Sequence, residues 1–70
     1  MERWQQAKNY LVERFRRESV VVGTPEQIAR ETQFSTRDVE MALADLVGES
    51  RVRPFQDDEG NLEYQWQRGG

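Results

Sequence analysis

The chain has 70 residues, 36% of them apolar, and sets 13 acidic side chains against 10 basic ones for a net charge of -3. That length supports one small domain with a compact core and leaves no room for a catalytic cleft between domains. Cysteine and histidine are both absent, which excludes disulfides, thiolate zinc sites and the commonest metal ligand and general base.

Residues 1–18 read as a helix. Trp4, Ala7, Leu11 and Phe15 recur at three- and four-residue steps and form one apolar stripe, with Glu2, Gln6, Asn9 and Glu13 opposite. Lys8 lies beside the stripe, placed to cover apolar surface with its stem while its ammonium reaches water. Arg14, Arg16 and Arg17 crowd the last turns, where positive charge suits the helix dipole. The segment MERWQQAKNY is charged, and nothing downstream approaches the roughly 20 apolar residues of a membrane span. A cytoplasmic chain without membrane contact is therefore expected.

Next comes SVVVGT, a β-branched run closed by Gly23, which predicts a short strand. Thr24, Pro25 and Gln27 then occupy N-cap, first-turn and capping-box positions, so a second helix starts here and runs to about Thr32. Its apolar contacts are Ile28 and Ala29. After TQFS, Ser35 caps a third helix at about 36–48, with Asp38 reaching back to the cap and Phe34 packing over the first turn. Val39, Ala42, Leu43, Leu46 and Val47 form its inward stripe, Arg37, Met41, Ala44 and Gly48 point away, and Gly48 and Ser50 mark its end. Finally, RVRPF and LEYQW flank the turn-forming QDDEGN, and Leu62, Tyr64 and Trp66 alternate with polar residues, which predicts a β-hairpin over 51–66. Pro54 cannot donate to a ladder, so its strand belongs at an edge or beside a bulge. The single domain spans 1–70, with an ordered core over about 3–67 and a frayed tail at 68–70.

The stretch FSTRDVEMALADLVGESRV resembles the recognition helix and wing entry of winged-helix domains: an apolar residue before the cap, a Val in the first turn, alanine and leucines behind it, then a small-residue turn into a strand. With the rest of the element order, the resemblance runs from about Trp4 to Trp66. It implies an α+β winged-helix fold: a three-helix bundle, a C-terminal hairpin wing, and a short strand between helices one and two that joins the hairpin in a three-stranded sheet. Trp4, Leu11, Phe15, Ile28, Val39, Leu43, Leu46, Val52, Leu62, Tyr64 and Trp66 would build the core. It further implies a third helix lying in the DNA major groove and a wing on the backbone or minor groove.

Under that resemblance the candidate DNA contacts are Thr36, Arg37, Glu40, Met41, Arg51 and Arg53. Arg37 faces out from the first turn of the third helix. There an arginine can take guanine bidentately, for about 1 to 3 kcal/mol of discrimination; alternatively, Arg37 pairs with Glu40. Thr36 can reach phosphate, whereas capping accounts for Ser35. Met41 and Ala44 suit a thymine methyl or a protein partner. Arg51 and Arg53 flank Val52 and are placed to project together, toward phosphate or toward Glu63 across the hairpin.

Charge opposes DNA. Asp57, Asp58 and Glu59 put three acids at the hairpin tip, and Asp38, Glu40 and Asp45 border the third helix. Two functions follow: a small regulator of transcription binding double-stranded DNA, best served by a homodimer that doubles its contacts, or an acidic winged-helix module that binds a protein through Met41, Ala44 and Phe55. The acids with Asn61 lack the spacing of a calcium loop, and no base is present to activate Ser or Thr. The expectation is a non-enzymatic chain without metal or cofactor.

Overall fold

The computed structural model describes residues 1–68, so the last two residues of the expected tail lie outside the described residues. Three helices, α1 (Arg3–Glu18), α2 (Pro25–Arg30) and α3 (Thr36–Gly48), pack with an antiparallel sheet of β1 (Val20–Val22), β2 (Val52–Gln56) and β3 (Leu62–Trp66). The sheet order is β1-β3-β2. It is thus more than a hairpin: β3 is the central strand, with Val21 and Pro54 both opposite Tyr64. Pro54 sits on the edge strand, where its missing N–H leaves the ladder to β3 least disturbed.

α1 buries Ala7, Leu11 and Phe15. Phe15 stacks on Trp66 of β3 at 5.9 Å between ring centroids. Trp4 is a correction: it has the angle of the stripe but stays half-buried outside the core cluster. Its indole N–H donates to the Glu2 carboxylate, and that exposed partner at the start of α1 holds the ring at the surface. Lys8 also differs from expectation. Its ammonium reaches Asp45 at 2.6 Å and Glu49 at 3.0 Å, which ties α1 to α3.

The capping box of α2 forms as its sequence predicts: Gln27 N–H donates to Thr24 Oγ1, and Thr24 N–H donates to Gln27 Oε1. The helix ends at Arg30, short of Thr32. The Thr32 hydroxyl donates to Ala29 O and accepts from Phe34 N–H, a local arrangement that competes with another helical turn. Only half of the expected α3 box is made, since Asp38 N–H donates to Ser35 Oγ without the return bond among the described residues. Phe34 packs on Tyr10 of α1, with centroids 6.0 Å apart.

Val39, Ala42, Leu43 and Leu46 turn into the core, but Val47 remains 38% exposed. At about 100° per residue it has rotated about 80° past Val39 and lies on the rim of the stripe. α3 ends where Gly48 and Ser50 mark it. Arg51 N–H donates to Leu46 O and Ser50 N–H to Val47 O, a Schellman arrangement in which Ser50, at φ 61°, occupies the left-handed position. Gly48 is an ordinary helical residue.

Candidate functional site

Thr36, Arg37, Glu40, Met41 and Ala44 are all exposed along the outer side of α3. Inward packing of Val39, Leu43 and Leu46 produces this face. Among the described residues Arg37 forms no ion pair, so the alternative of a bridge to Glu40 is not realised. Ser35 is occupied by its cap.

The remaining two candidates are not gathered with these. Gly48 is eleven residues beyond Arg37, or about 16 Å along the helix axis, and Arg51 and Arg53 follow from that far end. Nor do they project together. The Arg51 guanidinium lies 5.3 Å from the centre of the Trp66 ring and 3.4 Å from Glu49. It lines a concavity on the α1 side with Lys8, Val12 and Arg16. Arg53 covers Phe55 at 5.9 Å. Neither pairs with Glu63, because the register sets Arg53 against Gln65 and Phe55 against Glu63.

Between α3 and the inner face of the hairpin runs a groove of about 470 Å³. Leu43, Ala44, Val47, Pro54 and Tyr64 line it together with Pro25 and Gly48. Glu40 is its one charged lining residue. This feature is not legible in the sequence because it depends on Pro54 and Tyr64 being directly opposite on neighbouring strands. The visible signal was the small pair Ala44 and Gly48, one turn apart on the same flank of α3.

Tyr64 is only 8% exposed. Its hydroxyl has no hydrogen-bond partner among the described residues, yet no buried side-chain polar atom there is left unpaired, so the hydroxyl keeps some exposure on a residue that lines the groove. Burial, and secondarily the charge of Glu40, push the Tyr64 hydroxyl above the ordinary phenol range.

At the hairpin tip, Asp57 accepts the N–H groups of Glu59 and Asn61 at 2.9 and 2.8 Å and the Asn61 amide at 3.1 Å. These bonds, the Asn61 N–H foremost, hold its carboxyl below the usual range. Asp57 therefore organises the turn while staying charged beside exposed Asp58 and Glu59. Among the described residues, no group of three or more potential ligands is placed to hold a metal ion, and no helix is long and apolar enough to cross a membrane. Comparison with family models, with curated proteins and with solved structures finds no match for the chain.

Proposed function

We propose that the chain is a winged-helix domain that docks on another protein through the outer face of α3 and the adjoining hairpin. The element order and the central position of β3 support the fold assignment. One observation carries the choice of partner: the groove beside α3 contains Glu40 and no basic side chain, and the hairpin ends in Asp57, Asp58 and Glu59. A duplex presents about one negative charge per 1.7 Å of axis, so a wing seated on it would carry lysine or arginine at these places. Much of the basic complement is already engaged: Lys8, Arg14, Arg16, Arg30 and Arg51 all pair with acids of the same chain. Met41, at 40% exposure, and Val47 give the α3 surface the apolar character of a protein contact.

Arg37 favours a second reading, binding of double-stranded DNA, because it is exposed on the first turn of α3 without an ion pair. A photo-crosslinking residue at position 41, introduced into the chain in the cells that make it, separates the two. A covalent adduct removed by protease and untouched by nuclease is expected. An adduct removed by nuclease, or none, would overturn the protein-partner proposal.

A further inference from the structure

We infer that the groove between α3 and β2 is the seat of a short partner segment presenting an apolar side chain beside a lysine or arginine. This deepens the protein-partner proposal and rests on it.

The wall formed by Leu43, Ala44, Val47 and Pro54 offers an apolar side chain an open, predominantly apolar surface, and the groove is of a size that binding pockets commonly have. Two polar groups interrupt that wall. Glu40 is exposed and forms no ion pair among the described residues, so its charge has no partner within the fold. Tyr64, more than nine-tenths buried, lines the same groove, and its hydroxyl keeps some exposure without a protein hydrogen bond and lies close enough to Glu40 to feel its charge. A carboxylate can only accept, and a phenol hydroxyl can accept as well as donate. A cationic donor is the group that satisfies both. An anionic segment would meet Glu40 and, farther along the hairpin, Asp57, Asp58 and Glu59. A purely apolar one would leave the Glu40 carboxylate beside it desolvated and unpaired.

The small residues Ala44 and Gly48 give the segment close access to α3. A Cβ added at Gly48 meets nothing within 4 Å, so the space there is open. That same space supplies the test, because Gly48→Leu fills the groove from a helical position without touching the core.

Random dodecapeptides displayed on phage are selected against the full chain, and enriched sequences are resynthesised with a fluorophore for anisotropy titration. Enriched peptides should share an apolar residue with Lys or Arg within about one helical turn of it. Affinity should fall at least tenfold for Gly48→Leu. In wild type a peptide carrying Lys should bind several-fold more tightly than its Gln analogue, and in Glu40→Gln that ratio should approach one. Circular dichroism melts verify that both variants fold; should Gly48→Leu fail to fold, the Lys-to-Gln ratio decides alone. Enrichment without basic residues, or no enrichment, overturns the inference. Peptides displaced by Met41→Asp but indifferent to Gly48→Leu overturn the groove while sustaining the protein-partner proposal. The absence of both enriched peptides and a protein adduct at position 41 overturns both. A dimer in sedimentation that Gly48→Leu dissolves would identify the occupant as a second copy and also overturn the inference.

Discussion

Glu40 on α3 and Tyr64 on β3 face one groove, and the carboxylate adds to burial in keeping the tyrosine hydroxyl protonated. Glu40→Gln removes the smaller of these causes. Spectrophotometric titration should show one tyrosine ionising above the ordinary phenol range in the wild type and at lower pH in the variant. The folded-state pKa is raised, so the stability linked to it is present below the ordinary phenol pKa and is lost as pH rises through the folded value. Alkaline unfolding should accordingly be shallower in Glu40→Gln.

Lys8 joins α1 to α3 through Asp45 and Glu49, and its pKa is raised chiefly by the hydrogen bond to Asp45 and then by that to Glu49. The raised value means that the bridge stabilises the fold throughout neutral pH and is lost as pH climbs through the folded pKa of the lysine. Thermal melts of wild type and Lys8→Met should differ at neutral pH, with the variant lower. The gap should narrow above the ordinary lysine range.

The end of α3 permits two stabilising substitutions. Gly48 is helical with open space at its Cβ, so Gly48→Ala should add about 0.5 to 1 kcal/mol. Ser50 has a positive φ of 61°, which glycine adopts without strain, so Ser50→Gly should add about 1 kcal/mol. In a domain of this size each kcal/mol raises the melting temperature by about 4 to 8 °C. Exchanging the two roles, with Gly48 taken as the cap, would predict the opposite sign for Gly48→Ala.

Phe15 is fully buried and stacked on Trp66. Phe15→Ala should cost about 3 to 5 kcal/mol, against a total of about 4 to 10 kcal/mol for a chain this short. Urea titration followed by circular dichroism should find the variant largely unfolded or with its midpoint reduced by about a third or more.

Most of the helices and strands were legible because each is announced by short-range chemistry: Thr24 with Gln27, Ser35 ahead of Val39, and the alternation of Leu62, Tyr64 and Trp66. The outward placement of Thr36, Arg37, Glu40 and Met41 followed from the same helical periodicity. What periodicity does not carry is anything set by strand register or by the packing of distant turns. Arg53 meets Gln65 rather than Glu63 because of the pairing between β2 and β3, and Arg51 is drawn onto Trp66 by the turn at Ser50. Trp4 has the correct angle and the wrong neighbours. The groove was hidden for the same reason, since its walls come from elements joined only in three dimensions.

Titrating the chain into a fluorescently labelled random-sequence duplex, from low to physiological salt, decides whether the α3 face serves a protein and not a nucleic acid. No saturable binding is expected even at the lowest salt. Binding that weakens linearly in log affinity against log salt, and that Arg37→Ala diminishes, would contradict it.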